Sequence, residues 1–341
     1  MASAGGGRWN DFDGDGIRDI AAGEWAATVA GKERAGAVWV GYGSGAPGLR
    51  LTEDASGVPT APQVSEMFGN NEADDFFGGA PASTTTRLIV GSDGEKVATD
   101  AGAGSMAIFG HAFKDGIPAP LSVVTRDSSW LNASAEKGDA FGASVSATLY
   151  RPAGVDKTGT LVAVGSPGED LRSNTAKDAG FVHTFFISAE GKTSNLREYS
   201  QDVSGVADSS QSGDQFGFSV QLANFGEAFA AGPESAMLAV GVWGELGSHY
   251  GQGATQVFRF DTAGVGAGSA WVVSGTFGLP EDALAGPACV GVSRKHLLVG
   301  FPINDTMYGV TWAALRGDDG GEVHRWTPEP GVGRSSCSQV L

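Results

Sequence analysis

Apolar residues in this chain come in short runs, and almost every run ends in glycine. Ile20-Ala21-Ala22-Gly23, Leu88-Ile89-Val90-Gly91, Leu161-Val162-Ala163-Val164-Gly165, Leu238-Ala239-Val240-Gly241 and Leu297-Leu298-Val299-Gly300 recur roughly seventy residues apart. Each run is too short for a helix that buries a face, and each is bounded by turn residues, so each predicts a strand buried on both sides. A second motif precedes most copies: Asp75-Phe76-Phe77-Gly78-Gly79, Asp139-Ala140-Phe141-Gly142-Ala143 and Asp214-Gln215-Phe216-Gly217-Phe218, with Thr276-Phe277-Gly278 as a worn version. A third follows each copy, led by glycine: Gly36 to Val40, Gly104 to Ile108, Gly180 to Phe185, Gly253 to Phe258 and Gly309 to Trp312. A Phe-Gly strand, an apolar-Gly strand, a Gly-led strand and a weaker outer strand make a four-stranded unit. Five such units fall at approximately 1–65, 66–130, 131–203, 204–270 and 271–330, with a tail over 331–341. Repetition at this period points to units that cannot bury their faces alone.

Composition sharpens the class. Glycine accounts for 54 of 341 residues, apolar residues for 41% and charged residues for only 18%, which excludes a disordered chain and fits a turn-rich all-β protein. The formal charge of −17 argues against nucleic acid and anionic membranes as partners. No run of eighteen apolar residues predicts a membrane span. Met1-Ala2-Ser3-Ala4-Gly5 lacks the apolar core of an export signal, so a secreted protein with its signal already removed is expected. The two cysteines, Cys289 and Cys337, form no metal-binding pair; a single disulfide or two buried thiols are the alternatives.

The most chemically specific stretch is Asp11-Phe12-Asp13-Gly14-Asp15-Gly16-Ile17-Arg18-Asp19. Carboxylates at loop positions one, three, five and nine, with the Ile17 carbonyl at seven, are the ligand pattern of a hard cation, most plausibly Ca²⁺. Position twelve is Ala22 and a strand follows at once, so this is a loop between strands and not an EF-hand.

The units and this loop together resemble FG-GAP repeats, the blades of the integrin α-subunit β-propeller and its bacterial relatives. Gly165-Ser166-Pro167 comes nearest to the Gly-Ala-Pro half of that motif, whereas Gly23-Glu24-Trp25 and Gly241-Val242-Trp243 depart from it. The resemblance implies an all-β propeller of four-stranded antiparallel blades. Five repeats are recognisable where the family usually has seven, and seven would need two strongly shortened blades. It implies one Ca²⁺ site, Asp11, Asp13, Asp15, Ile17 and Asp19, because the corresponding segments of the other units, 82–87, 150–160 and 223–236, lack the aspartate ladder. It also places a ligand face opposite the calcium loop, on segments 24–34, 92–102, 167–178, 243–252 and 303–308.

Glu24, Trp25, Asp170, Arg172, Trp243 and Tyr250 are the candidate ligand residues there, a mixture suited to a protein, glycan or small cationic molecule. A monomeric, secreted binding module is the first reading. The alternative is an enzyme, a lyase, hydrolase or cyclase, working in the central cleft, with His249, Glu245 and Glu169 as candidates. No nucleophile elbow or zincin motif is present. Gly43 to Gly48 reads as a hairpin turn, Arg316-Gly317-Asp318 as an ordinary turn, and Asn132-Ala133-Ser134 and Asn304-Asp305-Thr306 as glycosylation sequons only in a suitable host.

Overall fold

The computed structural model describes residues 10–13, 15–53, 71–114, 117–224, 236–244, 253–260, 270–279, 281, 289–292, 296–301, 306–316 and 323–326. Within them lie five antiparallel sheets with strands in simple sequential order. The first holds β1 (Ile20–Gly23), β2 (Val38–Gly41) and β3 (Leu49–Leu51). The second holds β4 (Ala80–Ser83), β5 (Arg87–Ser92), β6 (Ser105–Lys114) and β7 (Ile117–Val124). The third holds β8 (Ser144–Tyr150), β9 (Gly159–Ser166), β10 (Phe181–Ile187) and β11 (Thr193–Tyr199). The fourth holds β12 (Phe216–Asn224), β13 (Ala236–Val242), β14 (Ala254–Arg259) and β15 (Ala270–Val272), which crosses the expected unit boundary at 270. The fifth holds β16 (Cys289–Val292), β17 (His296–Phe301), β18 (Thr306–Thr311) and β19 (Val323–Trp326), with one helix, α1 (Trp312–Arg316), inserted before the last strand.

The cores lie between consecutive sheets, as a propeller requires. Along β5, Leu88 and Val90 join Val38, Val40 and Leu51 of the first sheet, while Ile89 joins Val162, Val164 and Phe185 of the third. Along β9 the same alternation sends Leu161 and Ala163 toward Leu238 and Val240 of the fourth sheet. Along β13, Met237 and Ala239 pack toward Leu297, Val299 and Val310 of the fifth. Side chains on a strand alternate between faces, so a strand covered on both faces must be apolar throughout. That is why β5, β9 and β13 read as unbroken apolar runs; β1, expected to be buried on both sides as well, is instead largely exposed, with Ile20 at 67%. The fold is a nearly all-β propeller built from these sheets.

The glycines of the repeat mark where backbones of successive blades touch. A Cβ on Gly91 would stand 2.1 Å from the Gly142 carbonyl oxygen, and one on Gly165 2.0 Å from that of Gly217. The apolar-Gly strand of one blade therefore rests directly on the Phe-Gly pair of the next, and no side chain fits between them.

Three expectations need correction. Phe76-Phe77-Gly78 and Ala140-Phe141-Gly142 are turns that precede the inner strands β4 and β8, not parts of strands; Phe76, Gly78, Ala140 and Gly142 all have positive φ. The turn lets Phe77 and Phe141 plunge between blades, where both are buried. In the fourth unit Phe216 does pair in β12, but through a register shift before Ser219. Among the described residues the first sheet has three strands, equivalent to the second, third and fourth of the other units. Finally, Gly309 lies in the middle of β18, and Trp312 opens α1 rather than continuing a strand.

Candidate functional site

Two clusters of acidic side chains and one cavity carry the chemistry of the described residues. The first cluster is the Asp11–Asp19 loop, which leads into β1 from the end of the strand opposite Trp25. Phe12, the loop's second residue, is buried in the core shared by the first two sheets. That anchor turns its neighbours, Asp11 and Asp13, toward the loop interior. One carboxylate oxygen of each of Asp11, Asp13 and Asp15 lies within 4.8 Å of the others.

Backbone amides organise the loop: Gly16 N donates to Asp11 Oδ2 at 3.0 Å, Asp15 N to Asp13 Oδ1 at 3.1 Å and Ile17 N to Asp15 Oδ1 at 2.6 Å. Asp19 is not in this cluster, contrary to the expected ligand set. It is buried, and its two oxygens accept from Phe12 N at 2.5 Å and Gly43 N at 2.9 Å, so it closes the loop from beneath. Burial, followed by the charges of Asp19, Asp15 and Asp11, raises the Asp13 pKa, while the bond from Asp15 N opposes the shift.

The donor set fits a hard cation. Asp11 Oδ1 is buried and accepts no hydrogen bond, an arrangement that a metal would satisfy. Asp11, Asp13 and Asp15 are the side chains that would hold it.

The described candidate ligand residues, Glu24, Trp25, Asp170, Arg172 and Trp243, fall on loops outside the strands, but they do not all converge. Glu24 accepts from Trp39 Nε1 at 2.8 Å and from Arg50 Nη2 at 3.4 Å, an arrangement within the first blade. Asp170 pairs with Lys177, and Arg172 grips Asp202 through two nitrogens, Nε at 3.0 Å and Nη2 at 2.5 Å. Trp25 and Trp243 are 53% and 43% exposed, so neither is packed away between blades. Trp25 and Trp243 hold equivalent positions, each two residues past the glycine of its strand, but they meet different partners: Trp243 lies 4.7 Å from the Phe218 ring, just after the junction glycine, and Trp25 6.0 Å from the Phe76 ring, two residues before it.

Trp25 and Phe76, with Gly79, Asp93 and Ala143, line a cavity of about 300 Å³ where three blades meet. Asp93 sits half-buried in its wall, and burial raises its pKa. Asp93 lies within the expected ligand-face segment 92–102, but nothing in the sequence singles it out, because it follows a glycine-terminated strand like any turn residue.

Of the candidate acid–base residues, Glu169 meets the Arg126 guanidinium, which also bonds Asp139 Oδ2 at 2.7 Å. It therefore does not pair with Asp170 as a two-carboxylate site would require. Glu245, His249, Tyr250 and Cys337 lie outside the described residues, and with them the expected roles of the first three and the Cys289–Cys337 bridge.

His183 is fully buried in the face between the second and third blades. It is ringed by Phe181 at 4.8 Å, Phe141 at 5.9 Å and Phe185 at 6.1 Å, and neither nitrogen has a hydrogen-bond partner. Burial, aided by Arg126, lowers its pKa to about 3, which makes it a neutral core residue. Among the described residues no helix is long and apolar enough to cross a membrane.

No protein-family model matches the chain, and no curated protein does. Among solved structures, the periplasmic gluconolactonase PpgL of Pseudomonas aeruginosa aligns with 88% of this chain at 12% identity and a TM-score of 0.42. The chain spans 66% of that protein's length. A Lactobacillus plantarum protein aligns with 92% of the chain and 69% of its own length, at 10% identity and a TM-score of 0.40. The hydrazine synthase of Kuenenia stuttgartiensis aligns with 82% of the chain and 75% of its own length, at 11% identity and a TM-score of 0.35. At this distance the likenesses carry no argument about substrate or activity.

Proposed function

We propose that this chain is a secreted, calcium-stapled propeller of the FG-GAP type that binds a sugar-sized ligand on the face opposite its calcium loop. The observation that carries the reading is the cavity under Trp25: an exposed indole and the Phe76 ring beside the Asp93 carboxylate, in about 300 Å³. Aromatic faces stack on the apolar faces of sugar rings, and a carboxylate accepts from hydroxyl or ammonium groups, so the three fit a neutral or amino sugar. The calcium loop, at the far end of β1, contributes stability and takes no part in binding.

The test is titration calorimetry against a panel of neutral and amino sugars. Binding that falls at least tenfold in Trp25→Ala, with Asp93→Asn distinguishing amino from neutral sugars, supports the reading. No binding across the panel, or binding indifferent to both substitutions, overturns it. Turnover of a bound sugar would replace it with the enzyme alternative.

A further inference from the structure

The same three positions recur at successive blade junctions, and at two of them their side chains meet. The first lies two residues past the end of an outer strand: Glu53 after β3, Arg126 after β7, Gln201 after β11. The second lies two residues before the junction phenylalanine: Asp75, Asp139, Asp214. The third lies four residues past the junction glycine: Glu95 and Glu169 in the two junctions where it is described. Between the second and third blades the trio is Arg126, Asp139 and Glu169, and the guanidinium joins both carboxylates. Between the first and second blades the guanidinium is replaced by a third carboxylate.

Glu53, Asp75 and Glu95 each bring an oxygen within 4.8 Å of the others. Oxygens on opposite sides of a Ca²⁺ ion, at 2.3–2.6 Å from it, stand about 4.6–5.2 Å apart. Glu53 is only 2% exposed, and its Oε1 is held by the Ser92 hydroxyl at 2.7 Å, which also lies 3.0 Å from the Asp75 carbonyl oxygen. Its other oxygen, Oε2, is buried with no donor, as is Oε2 of Glu95. Ser92 Oγ and Glu72 N serve one oxygen each of the buried Glu53 and Asp75, but Oε2 of Glu53 and Oε2 of the half-buried Glu95 are left beside a shared space without a donor, and the next junction shows where a cation belongs.

We propose that Glu53, Asp75 and Glu95 form a second, inter-blade site for a divalent cation, Ca²⁺ or Mg²⁺, distinct from the Asp11–Asp19 loop. The ion does at this junction what Arg126 does at the next. All donors are oxygens, which excludes soft-metal selectivity and favours hard cations. The competing arrangement is three carboxyls that share protons and bind no metal.

The experiment counts bound metal after dialysis against Ca²⁺, and separately Mg²⁺, in the full chain carrying Asp13→Ala and Asp15→Ala, which removes the loop site. One equivalent retained, lost on adding Glu53→Gln, supports the site. If the double variant does not fold, the same count in otherwise wild-type protein must fall by one with Glu53→Gln. In the Asp13→Ala and Asp15→Ala background, Glu53→Arg, which installs the cation of the next junction, is expected to bind one equivalent fewer while keeping a melting temperature that no longer responds to the ion. Failure of the loop reading removes the other equivalent and leaves this one. An unchanged count in Glu53→Gln, or retention of no cation with a melt insensitive to either metal, overturns the proposal in favour of shared protons.

Discussion

His183 makes a sharp test of how tightly the blades are pressed together. The ring is 1% exposed among three phenylalanines, and its pKa is about 3 against 6.5 for an ordinary histidine. The native state thus keeps a neutral ring where the unfolded chain takes up a proton. The contribution of His183 to stability is complete above pH 6.5 and is lost as pH falls from there toward 3. Each pH unit of separate titration is worth about 1.4 kcal/mol, so between pH 6.5 and 5.0 the loss is about 2 kcal/mol.

Glu53, Glu95 and Asp214 have raised pKa values, chiefly from burial, and act in the opposite sense. The pH dependence of wild type alone therefore mixes the two. The informative quantity is the difference between wild type and His183→Phe, which keeps the aromatic packing and removes the titrating group. Urea unfolding at pH 7.5 and 5.0 should show wild type losing about 2 kcal/mol relative to the variant. A difference constant to within about 0.5 kcal/mol, or an NMR titration placing the imidazole pKa above 5, would refute the reasoning.

Four further outcomes follow from the same geometry. Gly165→Ala should destabilise by about 1–3 kcal/mol or more, because its new Cβ meets backbone at 2.0 Å, whereas Gly291→Ala, whose Cβ would be 3.6 Å from Leu298 Cβ, should be nearly neutral in a thermal melt. Arg126→Met should cost roughly 3–5 kcal/mol at neutral pH by leaving Asp139 and Glu169 buried without a counter-ion, and acidification should recover part of that loss in denaturant titrations. Chelation should lower the melting temperature, and Asp13→Ala with Asp15→Ala should remove the share of that drop due to the loop; a melt blind to chelator with no copurifying metal contradicts both cation sites. Phe12→Ala should destabilise by roughly 3–5 kcal/mol and also weaken Ca²⁺ binding, because the core residue and the loop are the same turn of chain.

Much of the architecture was legible because its determinants are local. An apolar run closed by glycine states both that a strand is covered on two faces and that another backbone lies against its end, and Gly91 and Gly165 do both. The aspartate spacing of the Asp11–Asp19 loop is equally local, and three of its four carboxylates do gather. What escaped depends on segments distant in sequence. Asp19 was read as a ligand by its spacing, yet Gly43, twenty-four residues on, supplies the amide that claims it. Glu169 has the chemistry of an acid–base candidate, but Arg126, two residues past the preceding blade's last strand, reaches it. The Phe-Gly pairs were read as strands because phenylalanine favours sheets, but the positive φ at Phe76 and Ala140 is imposed by the neighbouring blade's backbone.

The junctions also separate what the fold needs from what this chain has added. Every propeller junction must bring two backbones into contact, and the glycines do that without regard to charge. The polar trio beside them is free to vary, and it does: Arg126 joins two carboxylates at one junction, three carboxylates gather at another, and at a third the corresponding positions are Gln201 and Asp214. If the trio served stability alone, a self-neutralising set such as Arg126–Asp139–Glu169 would suffice everywhere. A junction that instead concentrates negative charge away from water makes the docking of the first two blades conditional on an ion. Trp25 and Phe76, from those same two blades, flank the cavity, so the ion that seats the blades also sets the distance between the rings that would hold a ligand. Binding in the cavity should then be weaker in Glu53→Gln than in wild type, and Glu53→Arg should restore it, although neither substitution touches the cavity wall.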